Sequence, residues 1–295
     1  MNEAYEAAKS RIEEGLKGVF TRADNAYEAY FNEVMNYSLL SGGKRLRPVL
    51  MLKTTEILGG PVDTALRMGL AIEMIHTYSL IHDDLPAMDD DALRRGQPTA
   101  HKQFNEALAI LSGDGLLNKA YEIMTEAVCT ATDPRTTALC VATIAGAAGE
   151  KGMIGGQVVD IESEHINLEP ELLDYLIINK TARLITAPLI GAGILSGLPK
   201  EKLTALERVG LLMGFSFQLQ DDLLDLEGEA RVMGKASNRD ALLGKNTYPA
   251  HYGLEKTKRT IEASLEEAES ILRNMDEYDW SFMIELIQEL QKREK

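Results

Sequence analysis

Asp83, Asp84, Asp89, Asp90 and Asp91 put five carboxylates into nine positions, just after a mostly apolar run at 71–81. A buried helix that delivers a cluster of like charges is electrostatically unfavourable unless cations meet it there. The arrangement recurs far along the chain, where Asp221, Asp222 and Asp225 close a second apolar stretch. Any fold for this chain has to bury two apolar helices while opening their acidic ends onto positive charge.

The rest of the sequence has helical rather than alternating periodicity. Residues 2–35 predict two helices broken near Gly15 and Gly18, and the basic loop at 41–48 feeds a helix over 49–58. Asp63 is placed as the N-cap of a long helix, and Pro86 should end that helix near Asp84 because it removes a donor and clashes with the preceding turn. A helix over 107–130 is expected to be interrupted at 112–115 by Gly113 and Gly115. Asp133 and Pro134 open one running to about 161, and Glu169 and Pro170 open one reaching 187 with Pro188 as a kink or break. Pro199 starts the longest helix, 200–227, stopped by Gly228. Residues 234–247 read as a polar loop and 248 to the end as charged amphipathic helix. With no strand runs and no linker, the expected fold is a single all-α domain spanning 1–295, a bundle of about ten helices.

The formal charge of −15 argues against a nucleic-acid partner and against an anionic membrane surface. An anionic substrate would require the few cations, or bound metals, to be concentrated locally. Glu3, Glu6, Glu13 and Glu14 do not suit a secretory signal, and the longest uncharged stretch, 184–199, is 16 residues, short of the roughly 20 that span a bilayer. Cys129 and Cys140 make neither a metal-ligand spacing nor a disulfide framework, so a reduced, cytoplasmic setting without a stable membrane anchor is expected.

Carboxylate clusters select hard cations, and Mg²⁺ is held by one or two carboxylates with phosphate oxygens filling other positions. Gln218, Asp221, Asp222 and Asp225 share one helical face, as do His76, Ser79 and Asp83; Pro86 lets Asp89 swing back toward Asp83. Basic partners for phosphate are available at Lys44, Arg45, Arg47, Arg94, Arg95, Lys180, Lys235 and Lys245. For 44–47 a plain surface loop is the alternative; for Arg94 and Arg95 it is an ion pair with Asp90 or Asp91. His76, His82 and His101 lack the cysteines or HExxH spacing of a zinc site, and no Walker A loop or GxGxxG is present.

Gly43-Lys44-Arg45 with Arg47 and Pro48, the run from His76 to Asp90, Arg94-Arg95-Gly96, Lys180-Thr181 and Phe217-Gln218 with Asp221, Asp222 and Asp225 together resemble the trans-isoprenyl diphosphate synthases in order and spacing. The resemblance covers roughly 35–250, and the insertion at 85–88 is similar to that of bacterial-type farnesyl diphosphate synthases. It implies a bundle around a central cavity in which two aspartate motifs face each other and hold Mg²⁺, about three ions with a diphosphate bound. Asp83, Asp89 and Asp221 would be the principal ligands, and Asp84, Asp222 and Asp225 supporting groups. Lys44, Arg47, His76 and Arg95 would hold isopentenyl diphosphate, and Arg94, Lys180 and Lys235 the allylic diphosphate, dimethylallyl or geranyl. Thr181 and Gln218 would stabilise the allylic cation. The resemblance also implies a homodimer.

In this family the residues four and five before the first aspartate, here Ser79 and Tyr78, help close the pocket floor. Five residues of helix span about 7.5 Å, which sets the bulk of Tyr78 well below the metals and favours a C15 product. The one departure is Asn238, where the family's GKxxGxD pattern has glycine. Alternatives are a C20 product, a class I terpene cyclase, or a noncatalytic prenyltransferase-like subunit.

Overall fold

The computed structural model describes residues 3–163, 166–233 and 246–292, and the expected Lys235 and Asn238 lie outside them. Among the described residues fourteen helical segments account for nearly all of the regular structure, which bears out the all-α expectation. The chain divides into two units by its internal packing, Asn2–Ala142 with Ile194–Gly197, and Thr143–Gly193 with Leu198–Lys295.

The first unit holds α1 (Glu3–Lys17), α2 (Ala26–Leu39), α3 (Leu46–Ile57), α4 (Val62–Asp83), α5 (Ala100–Gln103) and α6 (Glu106–Thr130), and α7 (Pro134–Ala148) starts in it. Helix α4 is its core. Ala65, Met68, Ala71, Ile72, Met74 and Ile75 are fully buried, and α4 packs most extensively on α6 and α3. Pro86 has the expected effect: α4 ends at Asp83, with Asp84 as its C-cap. Asp63 does not cap α4. Pro61 holds that position without a side-chain bond, and the Asp63 carboxylate instead lies 3.3 Å from Arg11 Nη2.

Helix α6 runs unbroken through 112–115. Its glycines are there for close approach, since a Cβ on Gly113 would stand 2.1 Å from Nε2 of His82 on α4. The lost helix propensity, about 1 kcal/mol per glycine, is offset by the burial that this approach permits. The structure also contains a strand pair too short for any periodicity to announce: β1 (Leu93–Arg94) and β2 (Gln97–Pro98), antiparallel, with Leu93 opposite Pro98 and Arg94 opposite Gln97.

The second unit contains α8 (Met153–Glu162), α9 (Pro170–Ile177), a π turn (Ile178–Ala182), α10 (Arg183–Leu195), α11 (Lys200–Met233), α12 (Tyr248–Tyr252), α13 (Leu254–Arg273) and α14 (Ser281–Gln291). The helix expected from 134 to about 161 breaks at 149–152, where the N–H of Gly152 closes a turn on the carbonyl of Gly149 at 3.0 Å. Pro188 neither ends nor interrupts α10; the irregularity lies upstream, in the π turn. Helix α11 passes through Gly228 to Met233. Ile261, Leu265, Ala268 and Leu272 form the buried stripe of α13 at the spacing of an amphipathic helix. Among the described residues no helix is long and apolar enough to cross a membrane.

Candidate active site

Past the end of α4 the chain bends back on itself. The N–H groups of Met88 and Asp90 both donate to the carbonyl of Leu85, at 2.9 and 3.1 Å, and that of Asp89 donates to the carbonyl of Asp83 at 2.9 Å. The bend attributed to Pro86 therefore returns the Asp89 backbone to Asp83. Charge is met locally. Asp84 is buried and accepts three hydrogen bonds from Arg94, two from Nε at 2.8 and 2.9 Å and one from Nη2 at 2.6 Å. Burial raises the Asp84 carboxyl above its usual range against the opposing pull of Arg94. Burial also acts to lower Arg94, but the Asp84 hydrogen bonds and charge outweigh it and raise the guanidinium. Asp91 stands 3.6 Å from Arg94, whereas Asp90 turns away at φ +49° toward Lys102 (3.2 Å) and His101 (3.7 Å).

The basic loop ahead of α3 has positive φ at Gly42, Gly43 and Arg45. A left-handed arginine is strained by about 1–2 kcal/mol, and the strain is held by burial of its side chain. Nη1 of Arg45 pairs with Glu73 at 2.7 Å, and Nη2 donates to the carbonyl of Leu39 at 2.7 Å. Arg45 is thus a structural cation, its charge met inside the protein. Arg95 folds over Gly43, its guanidinium 2.7 Å from where a Cβ would sit, and donates to the carbonyl of Gly42 and to Oγ of Ser41 at 3.3 Å. The β1–β2 turn, with φ +53° at Arg95, presents the two arginines in succession.

His76 lies in the field of this cluster. Burial, then the charges of Arg47, Arg95, Arg94 and Arg45, hold its imidazole well below 6.5, so it is neutral at pH 7. With Arg45 and Arg94 paired to carboxylates, Arg47 and Arg95 give this part-buried histidine, in a chain of net charge −15, locally positive surroundings that suit an anion. Ser79 spends its hydroxyl on the carbonyl of His76 at 2.9 Å. Tyr78 is buried edge-to-face against His82, ring centres 5.7 Å apart, and its hydroxyl is pushed up to about 12 by burial, then by Tyr121 and Asp83.

In the second unit the π turn carries Lys180 and Thr181. The turn is gripped from two helices: a Cβ on Gly156 of α8 would stand 2.2 Å from the Lys180 nitrogen, and one on Gly214 of α11 would stand 2.5 Å from Ala182 Cα. The Lys180 ammonium pairs with Asp160, one turn beyond Gly156 on α8. The Thr181 hydroxyl donates to Oε1 of Gln218 at 2.6 Å, and Nε2 of Gln218 donates to Oδ1 of Asp222 at 2.9 Å. The other Asp222 oxygen accepts from the N–H of Tyr248 at 3.3 Å. Burial, reinforced by Asp221 and Asp225, nevertheless pushes the Asp222 carboxyl up to about 6. Asp221 is part-buried and Asp225 exposed.

Three partners were not legible in the sequence. Asp160 pairs with a lysine 20 residues on, Glu73 is an acid inside a mostly apolar run, and Tyr248 acts through its backbone, which no side-chain pattern reveals.

A family model for polyprenyl synthetases matches residues 28–279. The chain belongs to the polyprenyl synthetase family. It is 40% identical over 274 residues to a farnesyl diphosphate synthase of Geobacillus stearothermophilus, covering 93% of this chain and 89% of that one. It is 42% identical over 238 residues to a farnesyl diphosphate synthase of Bacillus subtilis, covering 81% and 80%. A heterodimeric geranylgeranyl pyrophosphate synthase large subunit of Arabidopsis thaliana is 41% identical, over 83% of this chain and 67% of its own. Among solved structures, an FPP/GFPP synthase from Zymomonas mobilis superposes with a TM-score of 0.86 at 32% identity, over 97% of both chains. The all-α expectation, the family resemblance and the assignment as a prenyltransferase are thereby borne out.

The acidic groups of this polyprenyl synthetase fit a hard cation. Among the described residues no three His, Cys, Asp or Glu side chains stand close enough to hold an ion by themselves. The donors offered are carboxylate oxygens, the type Mg²⁺ takes in ones and twos alongside phosphate. Asp84 and Asp222 each have both oxygens engaged inside the protein, which suits support rather than ligation.

Proposed function

We propose that the protein condenses isopentenyl diphosphate with dimethylallyl and then geranyl diphosphate, head to tail and with Mg²⁺, to give farnesyl diphosphate. In this reading Asp83, Asp89 and Asp221 ligate the metal, Lys44, Arg47, His76 and Arg95 hold isopentenyl diphosphate, and Lys180, Arg94 and Lys235 act toward the allylic diphosphate. Mg²⁺, when bound, neutralises the charge that builds on the departing diphosphate.

The protein's own groups do the rest. Neutral His76 can donate one hydrogen bond without adding a charge, while the arginines around it supply the field. Thr181 gives its proton to Gln218, so its oxygen turns lone pairs toward any other neighbour, the polarity a developing allylic cation requires. The Gln218 amide is held in that orientation by Asp222. Lys180 is positioned by Asp160 and would exchange that partner for diphosphate oxygens. One protein then acts on two diphosphates.

The single observation that carries a two-substrate reaction over a one-substrate cyclase is the arginine field at His76. A cyclase has no second diphosphate for Arg47 and Arg95 to meet. The C15 product rests on the buried bulk of Tyr78. A C20 product is the second reading, favoured by the plant relatives named geranylgeranyl pyrophosphate synthases. Chromatography of the products formed from dimethylallyl and isopentenyl diphosphates with Mg²⁺ tests both. Farnesyl diphosphate is expected, a C20 product moves the assignment, and turnover of a prenyl diphosphate without isopentenyl diphosphate sinks the transfer reading. Tyr78→Ala should lengthen the product by at least one unit; an unchanged product removes Tyr78 from the pocket floor.

A further inference from the structure

Helix α1 lies outside the residues that the family model matches, yet two of its side chains hold the basic loop. The hydroxyl of Tyr5, a residue 2% exposed, donates to the carbonyl of Lys44 at 2.7 Å. One residue on, Nε of Arg45 stands 3.8 Å from Glu13, while Glu73 and the carbonyl of Leu39 complete the guanidinium's surroundings. Facing two carboxylates, Arg45 lends no net positive charge to an anion. What it contributes is a fixed backbone, in a loop whose φ values at Gly42, Gly43 and Arg45 are all positive.

We propose that Tyr5, assisted by Glu13, is a positioning residue for the isopentenyl diphosphate site: α1 sets the backbone at Lys44 and Arg45 so that Lys44 and Arg47 meet the diphosphate already in place. The inference rests on the assignment of Lys44 and Arg47 to that substrate. A cation ordered beforehand loses less freedom when the anion arrives, so the anchoring is expressed as affinity for this one substrate.

Tyr5→Phe keeps the ring in its seat and removes only the O–H. The dissociation constant and KM for isopentenyl diphosphate should rise about fivefold, the worth of one ordinary hydrogen bond. The KM for dimethylallyl diphosphate and kcat should stay near wild type, and the melting temperature should fall by no more than about 2 °C. Glu13→Gln, on a part-exposed side chain, should move the same constant in the same direction by less. An unchanged isopentenyl diphosphate constant in both variants overturns the proposal. So does an equal rise for both substrates with a larger fall in melting temperature, which is plain helix docking. Calorimetric titration reads the constant without turnover. A wild type that binds isopentenyl diphosphate but forms no product therefore defeats the proposed function while the Tyr5 comparison still decides the role of α1. A wild type that does not bind it overturns both.

Discussion

At the end of α4 the acidic residues sit among cations: Arg94 grips Asp84, Asp91 lies beside it, and Lys102 takes Asp90. On α11 the donors to Asp222 among the described residues are neutral, the Gln218 amide and the Tyr248 N–H. Both carboxyls are buried and both are raised by that burial, yet Asp84 has a counter-charge and Asp222 has two dipoles, and Asp222 is driven up to about 6. A broken helix end followed by a tight turn has room for an arginine to reach back. A helix that continues for about three more turns offers its flank to its own preceding turn and to the start of α12, and those supply the Gln218 amide and the Tyr248 N–H. The same residue type thus becomes half of an ion pair in one place and, in the other, a group held by dipoles and driven up to about 6.

The comparison can be broken at several points. Asp83→Ala and Asp221→Ala should each cut turnover by at least about a hundredfold, the scale of losing a group that stabilises developing charge, with near-normal circular dichroism spectra. Full rate in either one removes that residue from the metal site. Arg94→Met leaves Asp84 buried without its cation and should cost about 3 kcal/mol in urea unfolding, the low end for such a break because Arg94 is partly exposed. That loss should shrink as pH falls and Asp84, raised by burial, takes a proton; a loss independent of pH would mean that the pair is not what holds the turn.

For Asp222 the sign runs the other way from a salt-bridged carboxylate. Its native pKa of about 6 lies above the ordinary 3.8, so the native state binds the proton more tightly and the ionised group subtracts stability above pH 6. Stability of the metal-free protein from this residue should rise as pH falls from about 6 toward 3.8, by at most about 3 kcal/mol. Asp222→Asn should flatten that rise in denaturant midpoints measured across the range. An identical pH profile in the variant would assign the effect elsewhere. Gln218→Leu removes two hydrogen bonds, one from Thr181 and one to Asp222, and should have the smallest effect on stability, about 2 kcal/mol; a cost exceeding that of Arg94→Met would erase the distinction between the two regions.

The helix order, the bend at Pro86 and both aspartate segments were legible because helical periodicity and proline sterics are local. Two of the departures share one cause. Gly113 and Gly115 read as breakers because sequence shows a residue's effect on its own helix and not the neighbour it lets approach. Gly113 lets the His82 ring lie against α6, and only the assembled unit shows that. The long-range pairs Tyr5 with Lys44, Arg45 with Glu73 and Lys180 with Asp160 span 39, 28 and 20 residues, and no pattern within a window could reveal them.

The π turn at Ile178–Ala182 is one residue wider than a regular helical turn. It can be regarded as a single codon inserted into an otherwise straight helix. Lys180 is directed to α8 and Thr181 to α11, so two successive side chains address two different walls. Deleting any one residue between 178 and 182 would leave a better helix by propensity. It would also rotate one flank relative to the other by about 100°, so that Lys180 or Thr181 would lose its partner. The irregularity therefore works as a phase setting, and a more regular helix here would be a worse enzyme.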